Sequence, residues 1–183
     1  MTRTVAVFVG SLRRGSINRQ YARVLEALAR DRLSFEFVRI DDLPLYNDDL
    51  WSDGVAPDPV MRMKAQLAAA AGVLIVTPEY NRNVPGLLTN AFDWCSRPYG
   101  QSALTGKPAA CTGTSTGVLG TLGAQTHLKA AMDGLGLVAI GQPEVYLQWK
   151  PDDYDDATCT NDATRKLLRS FVDAFAAHVD RFA

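Results

Sequence analysis

The chain has little to give a metal ion or a disulfide framework. Its three cysteines, Cys95, Cys111 and Cys159, are odd in number, widely spaced and without a C-x-x-C pair, and its two histidines, His127 and His178, stand alone. That scarcity predicts no metal site and a reducing cytoplasm, with each histidine in a helix-surface or partly buried role. A formal charge of −1 supplies no electrostatic case for nucleic acid or an anionic membrane as partner. No run of eighteen apolar residues occurs, and a strand pattern begins within four residues of Met1, so neither a membrane span nor a signal peptide is expected. Both familiar glycine signatures for phosphate are missing too: there is no G-x-G-x-x-G and no G-x-x-x-x-G-K-[ST]. With 183 residues the chain is expected to form a single domain, 1–183, able to bury a full core.

What is present is a repeated alternation of short apolar runs with helical spacings. Val5 to Val9 reads as a strand, and Tyr21, Ala22, Leu25, Leu28 and Ala29 recur at helical intervals. Phe35, Phe37, Val38 and Ile40 suggest a second strand and the proline-stiffened run Asp41-Asp42-Leu43-Pro44-Leu45-Tyr46-Asn47 its exit. Val60, Met63, Leu67 and Ala71 carry a helix that Gly72 is expected to close. Val73 to Val76 is uniformly apolar, the mark of a strand buried on both faces. Pro85 and Gly86 open a helix through Trp94, Pro108 to Thr112 is a fourth strand, and Leu128, Ala131, Met132 and Leu135 mark another helix. A fifth strand falls at Val138 to Ile140 or at Glu144 to Leu147. The last helix carries the stripe Leu167, Leu168, Phe171, Val172, Phe175, Val179 and Phe182 behind a capping candidate, Asn161. This pattern predicts an α/β fold: a doubly wound five-stranded parallel sheet with helices on both faces and ligands outside the carboxyl ends of its strands.

Three polar loops are predicted to lie at those ends. Gly10 to Arg19 joins the first strand to a helix whose unpaired N–H groups make an anion seat. Ser11, Ser16 and Asn18 add side-chain donors, while Arg13 and Arg14 add charge. So many donors in one loop suit a phosphate monoester such as that of FMN better than a bridging pyrophosphate. The second loop is Thr77-Pro78-Glu79-Tyr80-Asn81-Arg82-Asn83-Val84-Pro85, and the third is Gly113 to Gly117. Trp94 reads as interhelical or subunit packing, and Trp51 and Trp149 fall in polar segments where tryptophan often marks a rim or an interface. Asp152, Asp153, Asp155 and Asp156 read as a solvated acidic loop without calcium spacing.

Taken together, Gly10-Ser11-Leu12-Arg13 with Ser16 and Asn18-Arg19, Thr77-Pro78-Glu79-Tyr80-Asn81 with Val84-Pro85-Gly86, and Asn90-Ala91-Phe92-Asp93-Trp94 resemble the flavodoxin-like NADPH-dependent FMN reductases. That family includes quinone, chromate and azo-dye reductases. The resemblance covers about residues 4 to 146. It implies a flavodoxin-like fold and an FMN-dependent oxidoreductase taking electrons from NADPH or NADH and delivering them, by a ping-pong course, to a quinone or similar small-molecule acceptor. It implies FMN phosphate contacts at Ser11, Arg13, Ser16, Ile17 and Asn18, isoalloxazine contacts at Pro78, Glu79, Tyr80, Asn81 and Arg82, and a cover made by Ser115, Thr116 and Gly117. No side chain is expected to act as catalytic acid or base, because the flavin carries the chemistry; Glu79 reads as a loop-shaping residue. A homodimer or homotetramer is implied as well. The alternative is an electron carrier or flavin-binding module without its own NAD(P)H activity. Two departures stand out: Gly123 fills a position where the family commonly has arginine, and Arg82-Asn83 follows Tyr80-Asn81 where the family often has a small hydroxyl residue just before the valine.

Overall fold

The computed structural model describes residues 2–182. Its strands are β1 (Arg3–Val9), β2 (Leu33–Phe37), β3 (Gly72–Val76), β4 (Pro108–Ser115), β5 (Val138–Ala139), β6 (Tyr146–Gln148) and a hairpin, β7 (Tyr154–Asp155) with β8 (Thr158–Cys159). The helices are α1 (Ile17–Ala29), α2 (Asp58–Ala69), α3 (Gly86–Cys95), α4 (Leu122–Gly134) and α5 (Asp162–Asp180). The main sheet is parallel in the order β2-β1-β3-β4-β5, with β6 also on β4.

Alternation along β1 divides the core. Ala6 and Phe8 face the layer that includes Val60, Met63, Leu88, Phe92, Leu128 and Met132, on α2, α3 and α4. Val5, Val7 and Val9 face Tyr21, Leu25, Phe171, Phe175 and Val179, on α1 and α5. The chain leaves β1 toward α1 on one face and leaves β3 toward α3 on the other. Winding therefore reverses between these neighbouring strands, and a crevice opens beyond their carboxyl ends.

Several boundaries differ from the sequence expectation. The second helix stops at Ala69, and Gly72 opens β3 rather than closing a helix. Strand β2 starts at Leu33 and ends at Phe37, although Val38 and Ile40 remain buried. The two candidates for the fifth strand both pair with β4: Ala109 lies opposite Ala139 and Gly113 opposite Tyr146. Between those pairs β4 advances four residues while its neighbour advances seven, so the extra residues bulge away from the sheet and split one strand in two. Helix α5 ends at Asp180, leaving Phe182 beyond it and half exposed. The acidic run after Trp149 is only partly a loop, because Tyr154 and Asp155 pair with Thr158 and Cys159. Trp149 is buried, its ring stacked on Tyr154 at 4.0 Å, so it marks neither a rim nor an open face. Trp94 is an interhelical residue, fully buried, with its Nε1 donating to the Pro44 carbonyl and its ring edge-on to Tyr46.

Candidate functional site

Three loops meet at the carboxyl ends of β1, β3 and β4 around a cleft of about 310 Å³, lined by Ser11, Arg13, Ser16, Ile17, Asn18, Pro78, Glu79, Tyr80, Thr114, Ser115 and Thr116. The first wall follows β1. A turn closed by the Ser16 N–H on the Arg13 carbonyl, 3.0 Å, and by the Arg13 guanidinium on the Gly15 carbonyl, 2.9 Å, brings Ser16 to the start of α1. There its Oγ accepts from the Arg19 N–H at 3.2 Å and caps the helix. Among the described residues, the N–H groups of Ile17 and Asn18 meet no hydrogen-bond partner. Both open into the cleft lining at the positive end of the α1 dipole.

One expectation for this wall needs correcting. The Asn18 side chain is not a free donor: it is buried, its Nδ2 donates to the Thr114 carbonyl at 2.9 Å, and its Oδ1 accepts from the Thr114 N–H at 3.0 Å. The hydroxyls of Ser11 and Ser16 keep their protons free to donate, since neither gives a hydrogen bond among the described residues.

The second wall follows β3. Tyr80 and Asn83 exchange both backbone hydrogen bonds, 3.2 and 2.9 Å, and the two residues between them, Asn81 and Arg82, have φ of 53° and 63°. This is a two-residue turn of the kind that carries positive φ at both central positions. Asn81 and Arg82, at its tip, lie outside the cleft lining. Glu79 shapes the loop, as its sequence context suggested. One carboxylate oxygen accepts from the Ala124 N–H at 3.0 Å and the other lies 3.3 Å from the Arg82 guanidinium. Thr121 gives α4 no side-chain cap, so this carboxylate from another loop does that work. The two departures from the resemblance lie against each other here. A Cβ at Gly123 would lie 3.0 Å from the Arg82 carbonyl oxygen and 3.1 Å from the Glu79 carboxylate, so a side chain at 123 would press the hairpin back by a few tenths of an ångström.

The third wall is the end of β4. Gly113 is forced by a close approach, for a Cβ there would lie 2.0 Å from the Thr77 carbonyl oxygen. Ser115 Oγ donates to the Gly120 carbonyl at 2.5 Å and folds the following loop back, and Gln148 Nε2 holds the Thr116 carbonyl at 3.0 Å. Gly117 lies outside the lining. Thr114, inside the third loop but not among the expected contacts, also lines the cleft; its place just past Gly113 at the end of an apolar strand is the sequence signal for it. Beneath this wall the Tyr21 phenol is held well above its ordinary pKa by burial, an effect its hydrogen bond with the Thr112 hydroxyl opposes.

The site therefore gathers ten of the thirteen expected residues and leaves Asn81, Arg82 and Gly117 at its margin. Two free helix N–H groups, two serine hydroxyls and a guanidinium form a donor set suited to a phosphate monoester. The wider opening between Pro78 to Tyr80 and Thr114 to Thr116 could take a planar ring. Among the described residues, no group of three or more histidine, cysteine or acidic side chains is placed to hold a metal ion, and no helix is long and apolar enough to cross a membrane. His127 and His178 sit on helices, the first against Asn83 and the second against the Val138 carbonyl.

Comparison with known proteins places these features in company. The model of the NADPH-dependent FMN reductase family matches residues 3–151. A 2-hydroxy-1,4-benzoquinone reductase from a Burkholderia species is 48% identical over 180 residues, covering 98% of this chain and 97% of that protein. A quinone reductase from Pseudomonas putida is 44% identical over 176 residues, covering 96% and 94%. Among solved structures, the flavoenzyme FerB, an NAD(P)H:(acceptor) oxidoreductase from Paracoccus denitrificans, superposes with a TM-score of 0.96 at 47% identity and covers 99% of each chain. Oxidised flavodoxin 1 from Bacillus cereus, TM-score 0.62 at 14% identity, shares the fold alone.

Proposed function

The chain belongs to the NADPH-dependent FMN reductase family, and from that premise we propose that its cleft binds FMN by the phosphate and serves electron transfer from NAD(P)H to quinones. The observation that carries this reading is the pair of unpaired N–H groups on Ile17 and Asn18, flanked by two serine hydroxyls and Arg13 at one end of a cleft open at the other. Membership of this family makes the chain an oxidoreductase with its own NAD(P)H activity rather than a passive electron carrier.

In this reading Ser11, Arg13, Ser16, Ile17 and Asn18 hold the phosphate, Asn18 through its N–H. Pro78, Glu79 and Tyr80 border the ring on one side, and Thr114, Ser115 and Thr116 border it on the other. Asn81, Arg82 and Gly117 support those borders from outside. The chemistry that bound FMN supplies is hydride acceptance from a nicotinamide and electron delivery to an acceptor. The protein's part is to fix the cofactor at its charged end, to leave one ring face open to two reactants in turn, and to aim backbone N–H groups where negative charge gathers. No side chain of the cleft is required as acid or base, which agrees with Glu79 being held by the α4 terminus and Arg82.

The whole chain acts as one FMN-binding unit in this reading, in the cytoplasm, where Cys95, Cys111 and Cys159 stay reduced; all three are free and buried. A homodimer or homotetramer is supported by exposed apolar side chains, Tyr80 in the cleft lining and Val118, Leu119 and Leu122 in the segment that follows the third loop. An anaerobic absorbance titration tests the activity. Purified protein is yellow and bleaches with NADPH or NADH, and its colour returns on adding a benzoquinone; persistence of the colour under both donors refutes the reading.

A further inference from the structure

The end of β4 raises a problem that the sheet itself does not solve. Strand β3 serves β4 as far as Thr112, whose carbonyl accepts from the Thr77 N–H at 2.9 Å. Strand β3 ends at Val76, and past Thr77 its chain leaves the sheet, so the next donor in line, the Glu79 N–H, belongs to the loop and not to the ladder. By the alternation of a strand, Thr114 is the next residue whose N–H and C=O face that departed neighbour, and Thr114 is 1% exposed. Buried backbone groups need partners. Asn18 supplies both: its carboxamide takes the Thr114 N–H at 3.0 Å and the Thr114 carbonyl at 2.9 Å, reproducing the peptide edge that β3 no longer offers. The contact spans 96 residues of sequence and is itself buried.

The consequence reaches the cleft. Asn18 lies on the first turn of α1, beside the N–H groups that form the phosphate cradle, while Thr114 opens the wall formed by Ser115 and Thr116. We propose that Asn18 is a positioning residue, a two-bond latch that fixes the distance between the phosphate cradle and the ring wall so that one ligand can use both at once. This inference rests on the FMN reading above. No other residue type of similar size offers one donor and one acceptor in this geometry: aspartate only accepts, and serine is too short to bridge both groups. With the latch gone, each wall keeps its own contacts, and what is lost is the advantage of having them prearranged.

The test uses the full-length protein freed of flavin, as wild type, Asn18→Ala and Asn18→Ser, the second retaining one polar atom in case the first folds poorly. Hydrogen exchange at the Thr114 amide accelerates about tenfold in both variants while the Thr77 amide, bonded to Thr112, is unchanged. Dissociation constants for FMN and for riboflavin, which lacks the phosphate, then separate coupling from general damage. The preference for FMN over riboflavin falls by about fivefold or more, and riboflavin affinity itself stays within about threefold. An unchanged Thr114 exchange rate, or equal weakening toward both flavins, overturns the latch. Wild-type protein that takes up neither flavin overturns the FMN reading itself, and the latch with it.

Discussion

Ser16 carries two duties that substitution can pull apart. Its Oγ caps α1 by accepting from the Arg19 N–H, and its proton is left to face the cleft. Ser16→Ala removes both. Loss of a side-chain cap costs about 1 kcal/mol, which for a chain of this size lowers the melting temperature of flavin-free protein by about 2–4 °C. Loss of a donor to a charged phosphate costs a further 1.5–3 kcal/mol or so in FMN affinity, roughly tenfold to a hundredfold. Ser16→Asp behaves differently, because aspartate is as good a cap as serine and its charge favours the positive end of the helix. Flavin-free protein with that substitution melts at or slightly above the wild-type temperature. Its carboxylate, however, lies against the phosphate. At a separation of about 4 Å and an effective dielectric near 20, each unit of phosphate charge is repelled by about 4 kcal/mol, so FMN affinity falls at least about a thousandfold. Fluorescence quenching of FMN and of riboflavin, beside thermal melts of the flavin-free protein, reads both effects. Riboflavin is spared in each variant. If Ser16→Asp melts as wild type and still binds FMN within about tenfold, the phosphate does not sit at this helix end and the assignment of the first wall is wrong.

Three further outcomes follow from neighbouring features. Gly113→Ala drives a Cβ into the Thr77 carbonyl oxygen, a backbone atom that has no rotamer to escape into, and costs at least about 3 kcal/mol, seen as a fall of roughly 10 °C in melting temperature; a fall under about 2 °C refutes the close packing of β3 and β4. Glu79→Gln weakens the hold on α4 by about 0.5–1 kcal/mol but leaves the shape of the kcat profile between about pH 6 and 9 unchanged, whereas loss of a limb reveals a proton-transfer role. Burial pushes the Cys95 thiol up to about 12 and the Cys111 thiol up to about 11, so at pH 8 only about 1 in 10,000 and 1 in 1,000 molecules carry the thiolate at those sites, and alkylation is at least about a hundredfold slower than in denaturant. The sign of the linkage is fixed by the direction of these shifts. Both thiols favour the folded state fully below the unfolded thiol value near 8.5, and that contribution is lost as pH rises toward their folded values, so stability declines on the alkaline side and a Cys95→Ala, Cys111→Ala double variant shows a shallower decline.

The parts of this molecule that the sequence discloses are those decided locally. Val73 to Val76 declares a doubly covered strand because every residue of it is apolar, and Ser16 declares a helix start because a hydroxyl precedes an amphipathic run. The resemblance adds the loop after β3, whose Glu79 shapes the turn from within. What escapes is decided by contacts distant in the chain. Nothing near Asn18 says that its amide is spoken for, since the bonds it completes belong to Thr114, ninety-six residues on, and are left open by the end of β3. The division of the fifth strand is equally invisible, because both candidate segments are short and apolar and only their registers on β4 show that both are used.

Function is more legible in this sequence than the roles of single residues. Polar loops at the carboxyl ends of parallel strands converge wherever the winding reverses, so the existence of the cleft follows from topology once the strands are recognised. Which side chain does what inside it depends on who satisfies whom. Glu79 is a carboxylate in the lining that nevertheless serves α4, Asn18 is an amide in the phosphate turn that serves β4, and Arg82 is a guanidinium in the second loop that lies outside the lining and serves Glu79. Subtracting those commitments leaves Ser11, Arg13, Ser16 and two backbone N–H groups as a cluster of free donors at one end of the cleft, with the Tyr80 and Thr116 hydroxyls free on its other walls. A cleft whose free donors are densest at one end orients an anionic ligand by that end, and leaves the other end open for the two reactants that must enter in turn.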